Sequence, residues 1–339
     1  MGYILTPEAA ESFFAELAGR GKIYAPKRFA GGAPFSDLDC VRYGEVGSMG
    51  EIVFDKKSDY SFKEVLLPLC ETLFFFTEEQ IKEADGAAGE ALIFLRSCDL
   101  HAVKRLDEIY LRSGARDYYY KRLRDRVKFV LMGCPQAFES CFCADMGTNR
   151  GDDYDLSVEP LSGGYAVECR LPELAVSLSE LGRESAEAAP SYVIETPTRV
   201  KIPEGLTAEA ARSKIWSDYD GRCVNCGRCN FVCPTCTCYT MQDIFYTDNG
   251  RVGERRRVHA SCMTDGFTDV AGGGSCRKKN GERMRFKTLH KIYDFKERFG
   301  YQMCVGCGRC DDICPEYISF SGCINRLEEA MKEVENDAQ

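Results

Sequence analysis

The sequence predicts an α+β protein of two domains. An N-terminal α/β domain with a small mixed or parallel sheet spans residues 1–200, and a mainly α-helical two-cluster ferredoxin-like domain spans residues 201–339. Three observations predict this. Buried-strand patterns followed by helical stripes recur between residues 91 and 132. The proline-bearing stretch ETPTRVKIPEG, residues 195–205, reads as a linker. Beyond it lie thirteen of the twenty cysteines, from Cys223 to Cys323, so the second domain is organised by what it ligates. A length of 339 residues also suits about two domains.

The elements follow in order. Thr6 is placed to cap a first helix, Pro7 suits its first position, Phe13, Phe14 and Leu17 form one face, and Gly19 ends it. FKEVLLPLCETLFFFT reads as a second helix running to Phe76, kinked at Pro68. Ala91 to Leu95 reads as a buried strand, and Leu100, Val103, Leu106 and Tyr110 as a helical stripe behind it. Val127 to Met132 repeats the strand. Tyr165 to Cys169 is expected to be β, and Glu173 to Leu181 an acidic helix. In the second domain, RMRFKTLHKIYDFKERFG reads as a helix with Phe286, Leu289, Ile292, Tyr293 and Phe299 apolar. Ile324, Leu327, Met331 and Val334 mark a last helix.

Composition excludes several classes of function. The net charge of −9 lacks the basic field of a general nucleic-acid binder. The longest apolar runs fall far short of the roughly 18 residues of a membrane span. MGYILTPEAAESFF has no basic region followed by an apolar stretch, so no secretory signal is read, and a cytoplasmic, reducing setting is expected. No G-x-G-x-x-G or G-x-x-x-x-G-K-[ST] appears, AGGGS (271–275) reads as a flexible turn, and no acid-base pair or triad stands out. His101, His259 and His290 sit in no ligand motif. The chain is expected to do no bond chemistry itself.

One internal repeat carries the chemistry. CVNCGRCNFVCP (Cys223, Cys226, Cys229, Cys233, Pro234) and CVGCGRCDDICP (Cys304, Cys307, Cys310, Cys314, Pro315) share their spacing. C-x2-C-x2-C-x3-C-P is the run in which three thiolates hold three corners of a 4Fe-4S cube and the fourth cysteine ligates the other cluster. Two clusters are therefore expected: one on Cys223, Cys226, Cys229 and Cys314, the other on Cys304, Cys307, Cys310 and Cys233. Tetrahedral zinc is the alternative for paired C-x2-C spacing. The long connection between the motifs favours a helical ferredoxin architecture. A third 4Fe-4S cluster is possible on Cys98, Cys134, Cys141 and Cys143, since Cys98 and Cys134 each follow a strand, at the sheet edge where open α/β folds place ligands; the alternative is that these are small buried hydrophobes. Cys236 and Cys238 read as packing beneath a cube. Cys40, Cys70, Cys169, Cys262, Cys276 and Cys323 show no ligand spacing.

Residues 251–298 carry a net charge of +7, leaving −16 on the rest. Arg255, Arg256, Arg257, Arg277, Lys278 and Lys279 would either offset the charge of thiolate-bound cubes, dock an acidic partner, or form a solvated helix face.

The segments CGRCNFVCPTCTCYTMQD, CVGCGRCDDICP and RSCDLHAVKRLDEIY together resemble the iron-sulfur subunit of anaerobic sulfite reductase and, more distantly, the β subunit of sulfhydrogenase-type enzymes, over most of the chain. The resemblance implies a non-catalytic iron-sulfur electron-transfer subunit of an NADH-dependent complex. Its partners would be a subunit that binds flavin and NADH, and a sirohaem-containing subunit that reduces sulfite to sulfide. It carries cluster ligation onto the eight repeat cysteines, and onto Cys98, Cys134, Cys141 and Cys143. Three other readings stand beside it. One is the same wire in a cytoplasmic NAD(P)H-linked hydrogenase or sulfur reductase. Another is a sirohaem catalyst, for which C-x5-C and C-x3-C can be drawn from Cys223, Cys229, Cys310 and Cys314. The last is a zinc-stapled scaffold.

Overall fold

The computed structural model describes residues 1–33, 37–86 and 89–337. The chain divides into two units: Met1–Leu67 with Ala87–Pro197, and Pro68–Gly86 with Thr198–Gln339. The division after Pro197 falls inside the proline-bearing stretch. A single boundary near residue 200 nevertheless misses that residues 68–86 leave the first unit to join the second.

In chain order the strands are β1 (Gly2–Leu5), β2 (Gly21–Phe29), β3 (Cys40–Glu45), β4 (Cys70–Phe76), β5 (Ile81–Glu83), β6 (Glu90–Leu95), β7 (Val127–Met132), β8 (Leu156–Leu161), β9 (Gly164–Cys169), β10 (Arg183–Glu184), β11 (Tyr239–Phe245) and β12 (Gly253–His259). All but β4, β5, β11 and β12 build one eight-stranded sheet in the first unit, in the order β10-β1-β9-β8-β7-β6-β2-β3. Its centre, β2-β6-β7-β8, is parallel and its flanks antiparallel. The sheet is thus mixed, as expected, but larger than a small one.

Helices α1 (Pro7–Arg20), α2 (Lys63–Leu66), α3 (Ser97–Leu111), α4 (Tyr118–Arg124) and α5 (Pro172–Leu181) complete this unit. The Thr6 hydroxyl accepts from the Ala9 N–H at 3.3 Å, the cap the sequence promised. Phe13, Phe14 and Leu17 of α1 and Leu174 and Leu178 of α5 form one buried cluster with Leu92, Phe94, Val130 and Met132 of the central strands. Each such side chain contributes roughly 2 kcal/mol on burial. Strand alternation sends Ile93 and Leu95 to the other face, where α3 packs on β6 and β7. Both faces are covered, which is why these strands read as continuous apolar runs.

The helix expected through Phe76 does not form. After the single turn of α2, Leu67 is extended (φ −134°, ψ 83°), as the residue before a proline prefers, and Cys70 to Phe76 become β4. β4 lies in the second unit, between β12 and β5 in a four-stranded antiparallel sheet ordered β11-β12-β4-β5. A short aromatic run cannot be told from a helix by periodicity, and here its β preference wins.

The second unit is therefore not mainly helical: a four-stranded antiparallel sheet and a two-stranded pair stand beside its helices. Its helices are α6 (Asp218–Arg222), α7 (Arg228–Phe231), α8 (Asn280–Leu289), α9 (Phe295–Phe299), α10 (Arg309–Asp312), α11 (Phe320–Asn325) and α12 (Leu327–Asp337). Residues His290–Asp294 continue α8 as a π-helix into α9, so the expected helical connection exists, with the β11–β12 hairpin ahead of it. Asp269–Val270 pairs with Gly274–Ser275, closing the glycine turn. Among the described residues, no helix is long and apolar enough to cross a membrane.

Candidate iron-sulfur centre

The two cysteine repeats fold alike. Asn225 and Gly306, between the first and second cysteines, have φ of 58° and 64°; Gly227 and Gly308, between the second and third, have φ of 72° and 70°. Each loop then enters a one-turn helix, α7 or α10. Successive left-handed and right-handed residues turn amide N–H groups inward, the geometry of an anion nest. Asn225 N–H accordingly donates to the Cys223 sulfur, and Gly306 N–H to Cys304. Ile318 N–H donates to Cys314 Sγ at 3.3 Å. At Gly227 a Cβ would lie 2.8 Å from Thr264 Cγ2 and 3.0 Å from Ser261 Cβ, so both conformation and space demand glycine.

The repeats exchange their fourth cysteines in space. One cavity is lined by Cys223, Cys226, Cys229 and Cys314, and by Cys310 as well, with Val224, Met263, Met284, Ile318 and Phe320 as apolar wall. Cys304 faces Cys233 and Cys307, and Cys310 faces Cys307 and Cys233. Cys226 is exposed, whereas Cys304 and Cys307 are buried. Burial pushes the Cys304 thiol up to about 12, and raises Cys229 and Cys310 as well. Protonated thiols so buried would lose their protons on binding iron, since the ligand is the thiolate.

The donor set fits 4Fe-4S clusters. Each group offers four sulfurs and at least one N–H donor aimed at them, and the first an apolar wall as well, which is how such clusters are held and tuned. Two buried cations complete the fit. Lys287 and Lys291 are 3% and 4% exposed. Burial disfavours the charge on Lys287, but the facing sulfurs of Cys229, Cys310 and Cys233 outweigh it and hold the ammonium well above its ordinary range. Burial likewise opposes Lys291, and Cys233, Cys236 and Cys304 reverse it.

Sequence reasoning missed both lysines and one further grouping. The Cys238 thiol hydrogen-bonds with Cys236 and Cys262, and Asn230 Nδ2 donates to Cys262 Sγ at 3.1 Å. Spacing gave no sign of Cys262. Among the other cysteines, Cys276 and Cys70 are exposed, while Cys40, Cys169 and Cys323 are buried and donate to the Gly32 carbonyl, the Leu171 carbonyl and the Tyr219 hydroxyl.

In the first unit, Cys98 stands in the first turn of α3, after β6, and Cys134 directly follows β7. These strands are parallel neighbours, so both thiols lie at one carboxyl edge. Cys141 lies close enough to Cys134 to perturb it, and Cys143 is buried two residues further on. Burial raises the Cys134 thiol, opposed by Arg96, which donates to the Gly133 carbonyl at 3.2 Å and to the Phe54 carbonyl.

The basic stretch is not a solvated helix face. Arg255, Arg256 and Arg257 lie on β12 and pair with Asp243, Glu254 and Glu71. Arg277 stacks 3.5 Å over Phe286, leaving Lys278 and Lys279 exposed.

Comparison with known proteins agrees with this geometry. Residues 222–318 match the 4Fe-4S dicluster domain family. The chain is similar to the beta subunit of Sulfhydrogenase 2 from Pyrococcus furiosus, 29% identical over 351 residues covering 98% of this chain and 100% of that protein. No solved structure matches significantly. Of the two resemblances drawn from the sequence, this is the more distant one. The C-terminal unit thus carries 4Fe-4S clusters, and the chain is an iron-sulfur electron-transfer protein related to a sulfhydrogenase β subunit.

Proposed function

We propose that this chain is the internal wire of a multi-subunit oxidoreductase of the hydrogenase or sulfur-reductase kind, placed between a partner that binds flavin and nicotinamide and a separate catalytic partner, in a cytoplasmic setting. The observation that carries this is the exchange of fourth cysteines between two identically folded repeats, on a chain similar along its whole length to a sulfhydrogenase β subunit. We assign Cys223, Cys226, Cys229 and Cys314 to one cluster and Cys304, Cys307, Cys310 and Cys233 to the other. When bound, a 4Fe-4S cluster supplies a one-electron couple whose potential its surroundings set. The exposure of Cys226, against the burial of Cys304 and Cys307, supports a reading in which the first cluster is the one nearer a partner. Cys98, Cys134, Cys141 and Cys143 form a third ligand set at the edge of the first unit's sheet, with Arg96 as its counter-charge. The second reading, the equivalent wire of anaerobic sulfite reductase serving a sirohaem partner, rests on the sequence segments quoted above.

Anaerobic purification with iron and acid-labile sulfide analysis tests the proposal. About twelve irons per chain are expected, and about eight would remove the third set. A colourless chain without labile sulfide would end the reading. Co-purified subunits, assayed for hydrogen, sulfur and sulfite turnover, separate the two acceptors; turnover by this chain alone would contradict a wire.

A further inference from the structure

Lys287 and Lys291 occupy positions on one helix that normally belong to the core. They stand four residues apart, Lys287 in α8 and Lys291 in the π-turn that continues it, on the face shared with Met284 and Ile292, both buried. A lysine is almost never fully buried unless a partner compensates it. Here the compensating groups are sulfurs. Lys287 lines the cavity with Cys223, Cys226, Cys229 and Cys314, hydrogen-bonds to Cys229 and also faces Cys310 and Cys233; its Nζ sits 4.9 Å over the Phe320 ring. Lys291 Nζ donates to Thr235 Oγ1 at 3.0 Å, lies 3.9 Å from Met303 Sδ and faces Cys233, Cys236 and Cys304. One ammonium therefore stands between the two cysteine sets, and the other beside one set only.

Resting on the cluster assignment above, we propose that Lys287 and Lys291 are positioning charges that set the reduction potentials of the wire: Lys287 acts on both clusters, and Lys291 on the Cys233, Cys304, Cys307 and Cys310 cluster alone. A four-thiolate 4Fe-4S centre becomes one charge more negative when it takes an electron, and a fixed ammonium in a low-dielectric interior stabilises that reduced state. Each step is one electron in and one electron out. The step as proposed includes no proton transfer. Because the charges are buried, salt screens them weakly.

The test is an EPR-monitored redox titration of the anaerobically purified full chain, with dithionite as reductant, on the wild type, Lys287→Met, Lys287→Arg and Lys291→Met. The signals are assigned with Cys226→Ser and Cys307→Ser. Methionine keeps the unbranched stem, and replacing a buried charge by a well-packed apolar group is often tolerated. Lys287→Met is expected to weaken reduction of both clusters at least tenfold, 59 mV for a one-electron couple, and Lys291→Met to do so for one cluster only, at low and at high salt alike. Lys287→Arg should stay near the wild type. Unmoved potentials at full iron content overturn the proposal, as does an equal response of both clusters to Lys291→Met. If Lys287→Met loses its iron, retention by Lys287→Arg supports the charge, and loss by both overturns it. Failure of the cluster reading is separate: it shows as missing iron and labile sulfide in the wild type.

Discussion

Gly227 shows how much depends on single residues in the cysteine loops. Its φ of 72° and the 2.8 Å approach to Thr264 Cγ2 leave no room for a side chain. Gly227→Ala should therefore lower the stability of the cluster-loaded protein by about 2 kcal/mol, combining left-handed strain with local overpacking. Asn225→Gly, at a φ of 58°, keeps the backbone but removes the amide oxygen that accepts from buried Arg283 Nη1 at 2.7 Å, and should cost about 1 kcal/mol. Denaturant midpoints check both, and an unaffected Gly227→Ala would show that the loop relaxes. At this scale the sequence was highly legible. Iron-sulfur ligation in a repeat needs only short-range spacing, so the spacing alone proposes all eight cysteines as ligands before any fold is known. Lys287 and Lys291 were not named, although a trace existed: they fall on the apolar stripe with Met284 and Ile292, where a lysine is out of place. The grouping of Cys262 with Cys236 and Cys238 left no such trace, because tertiary folding alone brings it there.

Among elements, β4 carries the clearest lesson. Its partner β12 lies far along the chain and is rich in arginine, GERRRVH, with no apolar alternation to announce a strand. What holds the pair is ionic: Arg257 Nη2 meets Glu71 Oε2 at 2.8 Å, with side chains 6% and 11% exposed, and Thr72 Oγ1 donates to Glu254 at 2.6 Å. Glu71→Ala would leave a buried guanidinium without its carboxylate and should cost about 3 kcal/mol, while the double replacement Glu71→Leu with Arg257→Met should recover most of it. Thermal denaturation of the three proteins decides, and a single variant as stable as the wild type would mean solvent reaches the arginine. By contrast β6, β7, α3 and the strand around Tyr165 were readable because each is either apolar throughout or periodic, and α1 announced its own start with Thr6 and Pro7.

For the whole molecule, each of the two units is stabilised by different physics. The first has a continuous apolar cluster from β1 to α5. The second sets its cysteines and two buried lysines among buried apolar side chains such as Trp216, Ile292, Phe295 and Leu327. Stripping the metal under reducing conditions should therefore abolish the cooperative unfolding transition of the second unit, while the β-sheet signal of the first persists in far-UV circular dichroism. Simultaneous loss of both would show that the first unit also depends on bound iron for its fold. The net charge of −9 said little about this, since part of the basic stretch is spent inside the second unit on Asp243, Glu254, Glu71 and the cysteine sulfurs.

Exchange of the fourth thiols also dictates an order of events during biosynthesis. Under the ligand assignment proposed above, Cys229 leaves the ribosome long before Cys314, and Cys233 must wait for Cys304. Neither cage can close on a nascent chain, so metallation is a post-translational act on a finished polypeptide. Any chain terminated between the repeats lacks one thiol of the first cage and three of the second, so neither of these two cages can be completed on it.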